Sequence, residues 1–143
     1  MKISIGCDHG GYLLKEEVLK HLSERNDIVI DDKGCFSEDS VDYPVYAKKV
    51  TEDVSSGNAD LGILICGTGI GMSMCANKVN GIRAALCHDV FSAKATKEHN
   101  NANILCMGGR IIGPGLACMI VDSFIDTPFS NAERHINRIN MFD

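Results

Sequence analysis

Cys66-Gly67-Thr68-Gly69-Ile70-Gly71 places a thiol, a hydroxyl and three alternating glycines at the end of the apolar run Leu61-Gly62-Ile63-Leu64-Ile65. A run of that length, bounded by turn residues, reads as a strand buried on both faces. The glycines let the backbone bend tightly and approach a ligand with no Cβ in the way. A helix beginning near Ile70 would aim its unpaired N–H groups and positive dipole end back into this loop, a setting that suits an anion. Free cysteine titrates at about 8.5, and a helix N-terminus lowers that value toward neutrality. Cys66 is thereby placed to act as a nucleophile or as a proton-transferring base. The plainer alternative is a buried, inert thiol beside a structural turn. The thiol and the anion-binding loop falling together favour chemistry. Spacing removes two other ligands: the third glycine comes one position too early for the dinucleotide fingerprint, and no Gly-Lys-Ser/Thr follows for a P-loop.

Other residues gather around this loop. Asp8-His9-Gly10-Gly11 brings a carboxylate and an imidazole to the end of the first apolar run, although Asp8 would serve equally well as a cap for the next helix. His99, followed by Asn100, Asn101 and Asn103, forms a polar cluster at a helix end, where a lone histidine often acts only as a C-terminal cation. Arg134 and Arg138 are four apart and share a face if helical, with His135 beside them. Two guanidiniums on one face suit a phosphate; a solvated charged face is the commoner explanation.

The elements that must position these groups alternate regularly. Strands are expected at Lys2–Gly6, Ile28–Ile30, Leu61–Cys66, Ile82–Leu86 and Ile104–Met107. Helices are expected from Tyr12 to about Arg25, from Pro44 to about Gly57, and from about Ile70 to Val79. Two more run from about Asp89 to His99 and from Pro114 to Phe124, and a polar tail closes the chain. Leu14, Val18 and Leu22 recur at helical spacing, and Pro44 fits a first helical turn. Strands alternating with helices imply βαβ units, a parallel sheet and helices on both faces, hence an α/β single domain. Ligands of such sheets bind beyond the carboxyl ends of the strands, near a switch in strand order. Asp8, His9, Cys66 and Arg110 all fall on loops of that kind, while His99 and Asn100 lie just before strand five, at the far end of the fourth helix.

Composition sets the outer limits. The 143 residues suffice for one domain, and 45% apolar with 23% charged residues is ordinary for a soluble globular protein. A net charge of −5 argues against broad nucleic-acid binding, so an anionic ligand must be caught by a few placed cations. No apolar stretch reaches membrane-spanning length and no leader pattern opens the chain, so a cytoplasmic location is expected. The seven cysteines are odd in number and include no CxxC or zinc-finger spacing, so thiols are expected and a structural zinc site is not. Most of them read as small core hydrophobes.

Assembled in order, these residues resemble the ribose-5-phosphate isomerase type B family, which includes allose-6-phosphate and galactose-6-phosphate isomerases. The resemblance is carried by Gly6-Cys7-Asp8-His9-Gly10-Gly11, Val41-Asp42-Tyr43-Pro44 and Cys66-Gly67-Thr68-Gly69-Ile70-Gly71-Met72-Ser73. It continues through Ala76-Asn77-Lys78-Val79, Gly81-Ile82-Arg83-Ala84-Ala85 and Glu98-His99-Asn100-Asn101-Ala102-Asn103, and ends at Arg134-His135 and Arg138. It implies a Rossmann-like three-layer α/β/α sandwich with a five-stranded parallel sheet. It also implies a homodimer with shared active sites, sometimes paired into a tetramer, and no metal or organic cofactor.

By the same resemblance Cys66 is the base moving a proton between C1 and C2 of the open sugar, His99 assists ring opening, and Thr68 lies close to that chemistry. The amides of the 67–71 loop, from Gly67 and Thr68 through Gly69 and Ile70 to Gly71, would hold the enediolate oxygen. His9, Arg134 and Arg138 would bind phosphate; Asp8, Tyr43, Asn100 and Arg110 would orient or enclose the sugar. One branch of the family replaces the cysteine by a glutamate in the following helix, but residues 70–79 contain no acid and Cys75 takes that place, so Cys66 is expected to act alone. Cys75 and the segment from Ile28 to Asp39 depart from the family pattern. The substrate implied is ribose 5-phosphate, with six-carbon phosphosugars as the near alternative. From other classes, a non-catalytic phosphosugar-binding module and a thiol redox protein remain to be weighed. A pure binder would not need Cys66, Thr68 and His99, and a redox protein would be expected to carry a CxxC pair.

Overall fold

A computed structural model describes residues 1–143. Along the chain run β1 (Lys2–Cys7), α1 (Tyr12–Leu22), β2 (Val29–Asp32), α2 (Tyr43–Ser55), β3 (Leu61–Cys66) and α3 (Ile70–Ala76). They are followed by β4 (Ala84–Leu86), α4 (Val90–Asn100), β5 (Ile104–Gly108), α5 (Pro114–Asp126) and α6 (Glu133–Ile139). The five strands form one parallel sheet in the order β2-β1-β3-β5-β4. This is the expected Rossmann-like α/β/α sandwich.

The strand order explains the layers. A crossover between parallel strands is right-handed, so chain segments moving one way across the sheet must lie on one face and those moving back on the other. Accordingly α1, α4 and α5 pack together on one face and α2 with α3 on the other. The period-2 alternation of β3 divides its side chains between them. Ile63 and Ile65 join the larger core with Leu14, Val18 and Leu22 of α1 and Phe124 of α5, while Leu64 and Cys66 point into a smaller cluster with Val50, Met72 and Cys106. Full burial of each such aliphatic side chain contributes about 1.5–3 kcal/mol. No helix is long and apolar enough to cross a membrane.

Ends shift by one to three residues from the sequence-based expectation, as where α1 stops at Leu22 and β2 runs on to Asp32, and three differences have a visible cause. Helix α3 stops at Ala76 rather than Val79. Asn77 turns out of the helix so that its Oδ1 accepts from the Ala84 amide at 2.8 Å and its Nδ2 donates to the Ala84 carbonyl at 2.9 Å. A side-chain amide thus stands in for the neighbour that edge strand β4 lacks. Strand β4 begins two residues late for a related reason: the Arg83 N–H donates to Asn103 Oδ1 at 2.8 Å instead of to a strand carbonyl. The polar tail, finally, contains a helix. His135 and Ile139 are its buried positions, one turn apart, and they dock it on the rest of the fold.

Candidate active site

β1 leads toward β2 on one side of the sheet and β3 leads away from it on the other, so order reverses between these two neighbours. Their C-terminal ends therefore leave a crevice. The loop after β1 enters it as Asp8-His9-Gly10-Gly11. Asp8 Oδ1 accepts from the Gly10 and Gly11 amides at 2.9 and 3.2 Å, so this buried carboxylate shapes its own turn. His9 Nδ1 accepts the Val41 N–H at 3.2 Å. That bond requires a lone pair on Nδ1, which leaves the ring proton on Nε2, facing away from the bond.

The loop after β3 lies alongside. Cys66 is 5% exposed, and its Sγ accepts the Gly69 N–H at 3.0 Å. Gly69 adopts φ +76°, a left-handed conformation that glycine takes without steric cost, and this turn brings its amide onto the sulfur. The Ile70 N–H donates to Thr68 Oγ1 at 3.3 Å. Of the five loop residues, Gly69 and Ile70 thus already spend their amides inside the chain, whereas the Gly67, Thr68 and Gly71 amides have no acceptor there. Tyr43 covers Gly71 so closely that a Cβ there would meet the ring at 2.7 Å. The third wall is the turn after β5. Gly109 and Arg110 donate backbone N–H groups to the Cys66 and Gly67 carbonyls at 2.8 and 3.0 Å. The Arg110 guanidinium lies over the glycines of both other loops; a Cβ on Gly67 would find its Nη1 at 3.1 Å and one on Gly10 its Nη2 at 3.4 Å.

Sequence reasoning passed over His88 in this neighbourhood. It follows β4, and its Nε2 accepts the Gly108 N–H at 3.0 Å. No motif surrounds it, and a lone histidine after a short strand carries little sequence signal.

Of the remaining cysteines, Cys7, Cys35, Cys87 and Cys106 are buried core residues, and Cys118 is only half-buried. Burial pushes the Cys87 thiol up to about 11 and raises the Cys7 and Cys106 thiols above their ordinary value. Cys75 is half-buried at the edge of the smaller core.

The second group of expected residues lies elsewhere. In the register of β3 with β5, Gly62 pairs Ile104 and Cys66 pairs Gly108. Residues preceding β5 therefore stand at the opposite edge of the sheet from Cys66, four strand residues or about 13 Å away along the strand direction. α4 returns from the Cys66 edge to that far edge over its 11 residues, about 15 Å of helix, and delivers His99 and Asn100 there, both exposed. α6 joins them. His135 packs against His99 with ring centroids 4.6 Å apart and the planes tilted by 45°, and Ser130 Oγ bonds its Nδ1 at 2.7 Å. Burial, then the charges of Arg134, His99 and Arg138, hold the His135 imidazole below its ordinary value. Asn101 and Asn103 belong to the scaffold: Asn101 takes φ 48° to end α4, and Asn103 bridges Arg83 and Gly81 through its side chain.

The charge distribution links the two groups. Arg25 is paired with Asp27 and Asp126, and Arg83 with Asp143. The other three arginines of the chain, Arg110, Arg134 and Arg138, have no acidic partner although the chain is acidic overall. Guanidiniums kept free of carboxylates in a protein of net charge −5 are available to an anionic ligand.

Residues 3–142 match the model of the Ribose/Galactose Isomerase family. The chain is 56% identical over 140 residues to the putative sugar phosphate isomerase YwlF of Bacillus subtilis, covering 97% of this chain and 93% of that one. It is 47% identical over 138 residues to the ribose-5-phosphate isomerase B of Escherichia coli, covering 96% and 91%. Its structure superposes on the crystal structure of a ribose 5-phosphate isomerase from Thermotoga maritima with a TM-score of 0.96 at 51% identity, covering 99% of this chain and 97% of that one.

Proposed function

The chain belongs to the Ribose/Galactose Isomerase family, and from that premise we propose that it is an aldose–ketose isomerase interconverting D-ribose 5-phosphate and D-ribulose 5-phosphate. The observation that carries this reading is Cys66, its sulfur held by the Gly69 amide at a sheet switch point, inside a loop with three unspent amides. Isomerisation requires removal of the weakly acidic proton on C2 beside the C1 carbonyl. The Cys66 thiolate takes that proton; the electrons pass through a C1–C2 double bond to the C1 oxygen and give an enediolate. Return of the proton to C1, with the hydroxyl proton of O2 passing to O1 and the C2 oxygen becoming the carbonyl, yields the ketose. The negative charge grows on oxygen during this transfer, and the Gly67, Thr68 and Gly71 amides are the preorganised donors for it. This narrows the amide set expected from sequence, because the Gly69 and Ile70 amides act on Cys66 and Thr68 instead.

Ring opening by His99 and phosphate capture by Arg134 and Arg138 belong to the same reaction, yet these residues lie across the sheet from Cys66. A small sugar phosphate does not bridge both edges of one chain and also contact both groups closely. In our reading a second copy supplies His99, Asn100, Arg134 and Arg138 to the Cys66 crevice, where His9 Nε2–H adds a phosphate donor and Asp8, Tyr43 and Arg110 enclose the sugar. Ile70 at the end of the Cys66 loop and Met74 one turn further along α3, 49% and 66% exposed, offer apolar surface for such a partner. The assembly is a homodimer with two identical sites, acting on a soluble phosphosugar without a metal or organic cofactor.

The test is conversion of ribose 5-phosphate to ribulose 5-phosphate in EDTA and reductant, with the native chain beside Cys66→Ala. Turnover by the native chain and a rate lowered about 10³-fold in a variant that still binds the sugar phosphate are expected. Full activity in the variant would remove Cys66 from the mechanism. The family name includes galactose isomerases, so allose 6-phosphate and galactose 6-phosphate are assayed alongside; a markedly higher kcat/KM on either overturns the pentose assignment.

A further inference from the structure

We propose that His88 is a positioning residue for Cys66: it holds in place the peptide that presses the Gly69 amide onto the sulfur. Strand β4 stops at Leu86, and its ladder to β5 ends where the Cys87 N–H meets the Cys106 carbonyl at 3.0 Å. The next inward amide, that of Gly108, has no strand carbonyl to receive it, and the His88 Nε2 takes it at 3.0 Å instead. The Met107–Gly108 peptide is planar, so fixing its N–H also fixes the direction of its carbonyl. That carbonyl supports the catalytic loop from below. A Cβ on Gly69 would lie 2.8 Å from Met107 C and 2.9 Å from Met107 O, and a Cβ on Gly108 would lie 2.8 Å from Thr68 C. Leu86 Cδ1 and Ile111 Cγ1 border the same gap, 2.5 and 2.7 Å from those Cβ positions. With no side chain on Gly69 or Gly108 themselves, the two backbones pack against each other, so a tilt of this peptide is transmitted to Gly69. The Gly69 N–H is in turn the donor 3.0 Å from Cys66 Sγ. The path from imidazole to sulfur is therefore a run of direct contacts: His88 Nε2, the 107–108 peptide, Gly69, Cys66.

The bond also defines the state of the ring. An acceptor Nε2 needs its lone pair, so His88 is neutral here and carries its proton on Nδ1. A residue of similar shape without an acceptor would leave a half-buried N–H unpaired and free to reorient. This inference rests on Cys66 being the reacting thiol, but its consequence for the sulfur is measurable without any substrate.

The experiment compares the full-length native chain with His88→Phe, which keeps a ring and loses the acceptor, and His88→Gln, whose Oε1 is able to accept the same N–H. Each is treated with iodoacetamide at neutral pH, and the alkylation rate of Cys66 is read site by site by mass spectrometry, with half-exposed Cys118 as internal control. Steady-state kcat and KM on ribose 5-phosphate are measured in parallel, and circular dichroism establishes folding. We expect His88→Phe to slow Cys66 alkylation and lower kcat by about fivefold to tenfold, with KM and Cys118 unchanged, and His88→Gln to recover most of both. Should the Phe variant fail to fold, His88→Ala carries the same comparison. A folded variant without the acceptor that keeps native Cys66 reactivity overturns the proposal, as does a folded His88→Gln no better than His88→Phe. If alkylation follows the acceptor while the native chain turns over no sugar phosphate, His88 keeps its role and the isomerase reading falls instead.

Discussion

At the C-terminal edge of the sheet, the groups around Cys66 are held by backbone. Asp8 closes its own turn, Gly69 donates to the sulfur, Gly109 and Arg110 tie the third loop to the first residues of the second, and Tyr43 seals Gly71. At the N-terminal edge, His99, Asn100, Arg134 and Arg138 are exposed side chains on helix ends, with His99 packed against buried His135. One region is a finished pocket wall; the other is a set of chemical groups directed outward. The difference fits the tasks proposed for them. A base and its oxyanion donors must be positioned before the reaction, since their value lies in costing no reorganisation during it. A ring-opening histidine and phosphate-binding arginines are of use only if they can reach another molecule's crevice.

The sharpest way to break this contrast is complementation. Cys66→Ala and His99→Asn chains should each be nearly inactive. Mixed in equal amounts and allowed to exchange subunits, they should recover about a quarter of native activity, because half the dimers are mixed and one of their two sites is intact. No recovery under demonstrated exchange would place both groups in one chain's site. Next in size is Gly69→Ala, where a Cβ would come within 2.5 Å of Leu86 Cδ1 and must adopt φ +76°. The finished wall should tolerate this poorly: about 1–3 kcal/mol of stability lost in denaturant titration, together with a fall in kcat. At the outward-facing edge, Arg134→Ala or Arg138→Ala should instead leave stability within about 0.5 kcal/mol of native. Each should raise KM for the sugar phosphate roughly tenfold, with the Cys66 alkylation rate unchanged. The smallest effect concerns His135. Its folded-state value lies below the ordinary 6.5, so the unfolded chain binds the proton more readily, and the stability this group contributes is present above 6.5 and lost as pH falls through the folded value. Thermal melts of the native chain should therefore show a modest decline below pH 6.5 that His135→Gln reduces.

Much of the Cys66 edge was legible in the amino-acid order, because it is made by local rules. An apolar run, a glycine at a left-handed turn and a short helix follow from residues 61–76 alone, and Asp8 shapes its turn within three residues. Other features depended on distant neighbours. α3 ended early because Asn77 found the free edge of β4, and the tail became α6 because His135 and Ile139 found a surface on which to be buried. His88 acquires meaning only from Gly108, 20 residues later, which no periodicity connects to it.

The amino-acid sequence by itself determined the α/β alternation, the thiol and its glycine loop, and the presence of a histidine and two arginines suited to a sugar phosphate. It also put His99 and Asn100 at the far end of α4, away from Cys66, because strand direction is common to the whole parallel sheet whereas helices run back against it. A residue at a strand's end and one at a helix's end are thereby sent to opposite edges, however close in type or purpose they are. Only the tertiary structure decided that α6 brings Arg134 and Arg138 to that same edge, since the tail gains its burial there through His135 and Ile139, with His135 against His99.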